Sequence, residues 1–451
     1  MSSKKVATTL RERLEGRSAS VAVIGLGYVG LPLATAAAEA GHSVIGVDLS
    51  QRRVQDINAG ISTIQDVPSD VVRRLVSTGR LRATRDYSEL KDVDVAVIAV
   101  PTPIDEYRVP DLSYVKGAVE ALAPVMKKGS LVILESTSYP GTTEEIVVPA
   151  LRAQGKVAGE DVFVGYSPER IDPGNKTWTL TNTPKIVSGL TPESLELTVA
   201  WYGSFIERLV PVSSLKTAEI AKVFENIFRI VNIALVNEFQ MICDSFGIDV
   251  WEVIAACSTK PYGFMPFYPG PGLGGHCVPV DPFYLAWKAR EKHVNTEFIE
   301  LAGRINHQMP GYVVAKVARL LNSNGKALQA ARIALIGVSY KKDTSDVRES
   351  AAIRIIELLK REGADVTYHD PYVPSISVEG TELTSRSLSG SYLSTKDAIV
   401  IVTDHTTVDW SLIASHRSIV VDTRNVFGRL LAGEPARDQK MGAAVKLGSD
   451  V

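Results

Sequence analysis

The run Val21-Ala-Val-Ile-Gly25-Leu-Gly27-Tyr-Val-Gly30 constrains this chain more than any other stretch. An apolar segment suited to a buried strand leads into a glycine turn, and an apolar helical pattern follows. Gly25 permits a tight turn, Gly27 lets a phosphate-bearing ligand approach the backbone, and Gly30 lets the helix pack on the sheet. The helix start then offers N–H donors and the positive end of its dipole to an anion. A glycine turn alone can be ligand-free. Here a second strand ends at Asp48, at the spacing that sets a carboxylate against an adenosine ribose. The combination predicts a dinucleotide site. Asp48 repels a 2′-phosphate and so favours NAD over NADP, although Arg52 and Arg53 close behind could accept that phosphate.

The stretch 21–40 is also apolar enough to imitate a membrane span. Glycines and Pro32 punctuate it, and the charged segment before it lacks the cleavage pattern of a signal peptide. No other run approaches membrane length, so a soluble, cytoplasmic protein is expected. A length of 451 residues implies two or three domains. The formal charge of −2 supplies no global field for nucleic acid or an anionic membrane. Any phosphate-bearing ligand must then be held by local devices. Three cysteines, Cys243, Cys257 and Cys277, cannot build a disulfide framework and suit a reducing compartment. No metal ligand is assigned.

Short β-rich runs at Ser20–Ile24, Ser43–Val47, 94–100, 131–135, 161–165, 184–188 and 208–211 alternate with helical stretches. They lack polar alternation, as parallel strands covered on both faces do. This predicts a doubly wound α/β domain over residues 1–212. From 213 to 246 there is no Gly or Pro. Ile220, Phe224, Ile227, Val231, Leu235, Phe239 and Ile242 recur at helical spacing. So long a helix predicts a central helical segment, 213–322, that bridges domains and offers a face for homodimers or higher oligomers. A Pro/Gly-rich loop at 260–282 interrupts its further helices. Strand-like runs return at 332–337, Asp365–His369, 398–402 and 418–422. They predict a second Rossmann-like domain over 323–451, a degenerate echo of the first, with a frayed tail after about residue 430.

The loop Pro269-Gly-Pro-Gly-Leu-Gly-Gly-His276-Cys277-Val-Pro-Val-Asp281-Pro is the second strong signal. Core cysteines lie in apolar helices or strands, the pattern around Cys243 and Cys257. Cys277 instead follows glycines and prolines whose backbone can approach a substrate closely, with His276 and Asp281 adding polar chemistry. A reactive thiol is one reading and a tight structural turn is the other. Lys222 and Asn226, at i and i+4, share a helix face. Apolar neighbours Ile220, Val223, Phe224 and Ile227 suggest that the helix is largely buried there. A buried Lys–Asn pair suits the stabilisation of an oxyanion. Glu135-Ser-Thr137-Ser-Tyr-Pro-Gly and Tyr166-Ser-Pro-Glu169-Arg170 each follow a strand, where α/β ligands bind. A strand-end carboxylate can equally be a helix cap or a solvated charge.

Taken together, GLGYVGLPLA, VPTP (100–103), ESTSYPGTT, YSPER, AKVFEN, GGHCVPVDP and YKKDTSDVRES (340–350) resemble the nucleotide-sugar dehydrogenases, from about residue 21 to 425. This is the family of UDP-glucose, GDP-mannose and UDP-N-acetylhexosamine dehydrogenases. The resemblance implies a four-electron oxidation of a sugar's primary alcohol to the uronic acid, using two NAD. Cys277 would capture the intermediate aldehyde as a thiohemiacetal, which becomes a thioester and is hydrolysed. Lys222 and Asn226 would stabilise the oxyanion, Asp281 would position the base or water, and Glu169 and Thr137 would assist hydrolysis. NAD would be held by Gly25, Gly27, Tyr28, Val29, Gly30, Asp48, Arg53, Pro101, Thr102, Thr137 and, from the last domain, Arg348. The nucleotide sugar would meet Glu169, Arg170, Lys222, Phe267, Tyr268, Gly270, Gly274 and Lys341, with active sites between the two Rossmann-like domains.

The chain also departs from the UDP-glucose branch. Pro173 stands where many such enzymes have a second Glu, Val280 where they have a Lys ahead of the Asp, and His276 where they have Ser. The form G-G-H-C-x-P-V-D-P, with Lys260-Pro-Tyr-Gly-Phe-Met-Pro-Phe-Tyr upstream, is more similar to the UDP-N-acetylglucosamine branch. Val280 would offer an apolar surface to an acetamido methyl. UDP- or TDP-glucose and UDP-N-acetylmannosamine are the alternative substrates. A two-electron hydroxyacid dehydrogenase explains the glycine motif but needs no loop cysteine. A non-catalytic sensor would require an eroded catalytic set, which is not what the chain carries.

Overall fold

The computed structural model describes residues 3–431 apart from 65, 106–108, 173–174, 176 and 276. The expected fraying beyond the last helix and the departures at Pro173 and His276 lie outside the described residues. The chain forms two compact units. One is the chain up to Asn226 with Val280–Asn295, and the other is Ile227–Pro279 with the chain from Thr296 onward.

The first unit holds an eight-stranded sheet: β1 (Ser20–Ile24), β2 (Ser43–Val47), β3 (Leu81–Thr84), β4 (Val95–Ile98), β5 (Ser130–Leu134), β6 (Val162–Tyr166), β7 (Lys185–Gly189) and β8 (Leu209–Pro211). Their order is β3-β2-β1-β4-β5-β6-β7-β8, and only the β6–β7 pairing is antiparallel. Successive side chains on a strand point to opposite faces. Val21, Val23, Val95, Val97, Leu131 and Ile133 therefore enter one apolar core, and Ala22, Ile24, Ala96, Ile98, Val132 and Leu134 enter another. Both faces are dry, so these strands read as unbroken apolar runs. The strand order reverses between β1 and β4, and there the carboxyl ends leave a crevice. β3 escaped the sequence reading because it is a four-residue edge strand with Arg82 exposed.

In the second unit β9 (Arg332–Ile336), β10 (Asp365–His369), β13 (Ala398–Ile401) and β14 (Val420–Asp422) form a parallel sheet in the order β10-β9-β13-β14. It repeats the logic of the first. Gly337, at φ 84°, closes the turn after β9 so tightly that a Cβ would stand 2.4 Å from the Thr403 Cβ. Asp370 follows β10 and accepts from the Val338 and Ser339 N–H groups at 2.8 and 3.1 Å. A hairpin, β11 (Ser375–Val378) with β12 (Thr381–Thr384), was not foreseen. Its turn, Glu379-Gly380, has positive φ at both residues without the Asn-Gly or Asp-Gly that advertises such a turn.

The helix Leu215–Phe246 runs 32 residues, a length of roughly 48 Å at 1.5 Å per residue. One expectation about it is corrected. Of the stripe that defined the helix in the sequence, Ile220, Phe224, Leu235, Phe239 and Ile242 are exposed, with Phe224 64% and Leu235 61% exposed, while Ile227 and Val231 are half-buried. The buried face carries Ala218, Glu219, Lys222, Val223, Asn226, Ile230, Ala234 and Asn237. Lys222 and Asn226 are buried; of the neighbours cited for this, Val223 is buried with them and Ile227 half-buried, whereas Ile220 and Phe224 are exposed. Cys257 is likewise corrected. Cys243 lies in the core, whereas Cys257 ends the Val250–Cys257 helix and is exposed. Among the described residues no helix is long and apolar enough to cross a membrane.

Candidate active site

The glycine turn after β1 is built as its spacing predicts. Gly25 has φ 91°, and a Cβ there would stand 2.6 Å from the Ala99 carbonyl oxygen; at Gly30 it would stand 1.7 Å from the Gly25 carbonyl oxygen. At Gly27 nothing lies within 4 Å of that position. Two glycines are thus filled by backbone, and the third faces open space. The helix Gly30–Glu39 has no side-chain cap, unlike the helices begun by Ser50, Thr191, Asp249 and Ser350. Pro32 has no N–H, and the Leu31 and Leu33 N–H groups donate to the Gly27 and Val29 carbonyls at 3.1 and 3.2 Å. Asp48 follows β2 and accepts from Leu26 N and Arg53 Nη1 on one oxygen and from Ser50 N on the other, all at 2.9 Å. Arg53 is therefore held by Asp48, and its Nε is buried without a protein partner among the described residues. Tyr28 is exposed and Val29 half-buried; Pro101 and Thr102 follow β4 beside the turn, the first exposed and the second buried. These residues fit NAD. An orphaned donor beside the ribose-side carboxylate and an open Gly27 backbone are what a dinucleotide would fill.

Farther along the same sheet edge lies a buried polar cluster. Glu135 follows β5, Glu169 follows β6 and Lys185 opens β7, so three strand ends bring them together. Lys185 Nζ forms ion pairs with Glu135 and, at 3.2 Å, with Glu169. The other Glu169 oxygen accepts from Arg170 and Ile171 N–H groups, both at 2.6 Å. Burial pushes the Glu135 carboxyl up to about 7 against the pull of Lys185, and the neighbouring Glu169 adds to the rise. Burial works against the Lys185 charge, but two carboxylates outweigh it and its net shift is upward. The Arg170 guanidinium is engaged by Glu225 at 2.5 Å and by the Pro184 carbonyl at 2.6 Å, and so ties its loop to the long helix. Thr137 is half-buried in the segment after β5.

Lys222, Asn226 and Asp281 are all buried. Asn226 Nδ2 donates to Asp281 Oδ2 at 2.6 Å, and Asp281 begins the helix Asp281–Arg290, whose dipole favours its charge. One turn before Lys222, Glu219 accepts from Thr143 N and Oγ1 at 2.9 and 2.7 Å and from Gly141 N, fixing the ESTSYPGTT segment on the helix. Burial raises the Glu219 carboxyl even so. Val280 packs into the core with Tyr284 and is only 6% exposed. The expectation that it offers an apolar surface to the sugar is therefore corrected.

In the second unit the cysteine loop leans on the segment after β9. A Cβ at Gly274 would stand 2.5 Å from the Tyr340 Cβ, and one at Gly275, where φ is 83°, would stand 2.8 Å from the Tyr340 ring. Gly275 N donates to the Arg348 carbonyl at 2.9 Å. Cys277 is exposed, Lys341 half-buried, and the Arg348 guanidinium is bound by Asp346 at 2.6–3.1 Å. Gly270 N donates to Asn237 at 2.9 Å, Tyr268 stacks on Trp251, and Phe267 meets Phe228 edge-on. Gly272, Gly274, Ser339, Tyr340, Ser350 and Arg424 line a small polar cleft at the strand ends. Sequence reasoning missed Lys185, Glu219, Asn237 and Arg424. A charged residue opening an otherwise uncharged, buried strand was the available signal for Lys185, and helical spacing to Lys222 and Asn226 was the signal for Glu219.

Fold and turn chemistry define a dinucleotide-binding α/β protein, and comparison with known proteins makes this specific. The NAD binding domain of the UDP-glucose/GDP-mannose dehydrogenase family matches residues 19–206, the family's central domain 216–308 and its UDP binding domain 334–429. The chain belongs to the UDP-glucose/GDP-mannose dehydrogenase family and is an NAD-dependent nucleotide-sugar dehydrogenase. It is similar to Protein CapL of Staphylococcus aureus, with 42% identity over 78% of this chain and 82% of that one. It is 40% identical to UDP-N-acetyl-D-glucosamine 6-dehydrogenase of Pseudomonas aeruginosa, over 78% and 83% of the two chains. Its fold matches that of UDP-D-ManNAc dehydrogenase from Pyrococcus horikoshii, with a TM-score of 0.82 and 34% identity over 90% of this chain and 95% of that one.

The glycine turn makes a paired prediction. Gly30→Ala overpacks against backbone and should cost about 2 kcal/mol or more in stability, read as a lower melting midpoint. Gly27→Ala should leave that midpoint unchanged and weaken NAD binding roughly tenfold, about 1.4 kcal/mol, measured by fluorescence titration. Normal NAD affinity in Gly27→Ala would show that the cofactor does not use this turn.

Proposed function

We propose that the chain oxidises the primary alcohol of a UDP-N-acetylhexosamine, with UDP-N-acetylglucosamine favoured, through a covalent intermediate on Cys277. The observation that carries this reading is the division of labour among the motifs. Cys277 is exposed on a loop built from glycines, while Lys222, Asn226 and Asp281 are buried and Asn226 is held by Asp281. A merely structural turn needs no such polar set, and burying it is costly without a function to serve. Relatives whose names specify UDP-N-acetyl-D-glucosamine and UDP-N-acetyl-D-mannosamine support the sugar class.

NAD, when bound, accepts the hydride in each of two oxidations. The chain's residues do the rest. Lys222 and Asn226 donate to the substrate oxygen as negative charge develops on it, and Asp281 holds Asn226 and positions the base or water. The Cys277 thiolate adds to the aldehyde carbon, giving a thiohemiacetal that the second oxidation turns into a thioester. Glu169, with Thr137, then assists water. The water oxygen bonds to the acyl carbon, and the C–S electron pair returns to Cys277. Lys341 and the loop 267–271 hold the UDP moiety, Arg170 keeps the Glu169 loop in place, and Arg348 approaches NAD.

Initial rates and NADH yields with UDP-N-acetylglucosamine, UDP-N-acetylmannosamine, UDP-glucose and TDP-glucose test both parts. Two NADH per sugar and a preference for the first substrate are expected. A single lost polar contact can change kcat/KM by roughly a hundredfold, so the ranking should be clear. A tenfold advantage for a glucosyl donor would overturn the acetamido assignment alone. One NADH per sugar would overturn the four-electron reading.

The exposed face of the long helix supports a homodimer. Ile220, Phe224, Phe228, Leu235, Phe239 and Ile242 form a continuous apolar stripe, whereas a helix facing water is polar on that side. Sedimentation should find a dimer, and Phe224→Glu with Leu235→Glu should dissociate it. A wild-type monomer at micromolar concentration would refute this.

A further inference from the structure

In the polar cluster of the first unit one cation serves two carboxylates. Glu135, Glu169 and Lys185 are all buried, so no solvent ion can balance them. Lys185 lies closer to Glu135 than to Glu169, and also donates to the Pro168 carbonyl at 3.2 Å. Glu169 has one oxygen held by two backbone N–H groups, and Lys185 is the contact on its other oxygen. Anything that draws Lys185 away therefore acts on the oxygen that must face water.

We propose that Lys185 is a positioning residue for Glu169, shared with Glu135, so that ionisation of Glu135 frees Glu169 to take a proton from the water that cleaves the acyl-enzyme. The proposal rests on the thioester route above. In that step the water oxygen bonds to the acyl carbon, its proton passes to Glu169, and the C–S bond breaks with its electron pair going to Cys277. While Glu135 is protonated, Lys185 pairs with Glu169 alone and occupies the oxygen the proton needs. Once Glu135 is ionised, the cation is drawn toward it.

The surroundings of Glu135 suit a group that changes charge near neutrality. β7 presents Lys185, and the segment after β6 presents Glu169. The helix Pro192–Gly203 presents Tyr202, which donates to Glu135 Oε1 at 3.2 Å. β6 presents Tyr166, whose phenol is pushed well up by burial and by Glu219, Asp281 and Glu135. Glu135 Oε2 is buried with no donor among the described residues to hold charge on it. Burial accordingly lifts this carboxyl to about 7, in spite of Lys185. The carboxyl is neutral below that pH and charged above it, so hydrolysis should speed up as pH rises. Between pH 6 and 8 the charged fraction grows about tenfold.

The test is rapid-mix turnover with UDP-N-acetylglucosamine and NAD, which reads the NADH burst and the decay of the acyl-enzyme by mass spectrometry from pH 6 to 8. Wild-type decay should rise about tenfold across this range. Glu135→Gln should keep the burst and lose the rise, staying at the slow acid-limb rate. Tyr202→Phe removes a donor to the charged form and retains the carboxyl, so the inflection should move to higher pH. A structural role for either residue would not shift an inflection, and Tyr202→Phe decides the matter if Glu135→Gln fails to fold. Glu169→Gln should accumulate acyl-enzyme at every pH. If it does, yet both other variants keep the wild-type profile, the relay is wrong and the Glu169 reading stands. If Glu169→Gln hydrolyses normally, that reading falls and the relay with it.

Discussion

Close approach of backbone to backbone, possible only where a Cβ is missing, is the constraint on which this molecule's sites depend. At Gly30 the space is taken by the Gly25 carbonyl, at Gly25 by the Ala99 carbonyl, and at Gly337 by Thr403. The cysteine loop uses the same device against Tyr340 through Gly274 and Gly275. Each glycine draws a loop down onto a strand end, where parallel sheets bind ligands. Gly27 is the informative exception. Nothing lies within 4 Å of a Cβ built there, so the backbone is open to a ligand.

Once loops are drawn into the interior, their polar groups must find partners there. Acids at strand ends do this repeatedly. From the glycine turn of the neighbouring strand Asp48 receives one backbone N–H and Asp370 two, which makes the two sheets variations on one design. Glu219 does the same for the Gly141–Thr143 turn and thereby joins that segment to the helix that carries Lys222 and Asn226. The Glu135–Lys185–Glu169 cluster differs, because two acids share one cation. That imbalance leaves a carboxyl able to change charge in the neutral range.

Most of the fold was legible because both faces of each sheet are dry. Ser20–Ile24, Ser43–Val47 and Asp365–His369 matched to the residue, and the remaining foreseen strands shifted by one or two positions at their ends. What escaped was what apolar runs cannot show: the edge strand β3 with its outward Arg82, and a hairpin turned by Glu379-Gly380. The glycine turn with Asp48 was legible as a unit because its parts lie close in sequence. Lys185 was not, because its partners Glu135 and Glu169 lie on other strands. Around Lys222 the long helix was read as buried through Ile220 and Phe224, which are exposed, since periodicity reveals that a stripe exists but not what covers it. Val280 shows the same limit, for its place in the core depends on Tyr284 and the sheet behind it.

The central claim is that Cys277 carries the sugar between its second oxidation and its release. Mass spectrometry of enzyme quenched during turnover with UDP-N-acetylglucosamine and NAD tests it most directly. A uronyl adduct on the peptide containing Cys277 is predicted. In Cys277→Ser the adduct should be absent and turnover reduced by orders of magnitude with substrate binding retained, because a serine alkoxide forms poorly at neutral pH. A Cys277→Ser enzyme that releases two NADH per sugar at a near-normal rate would contradict the account.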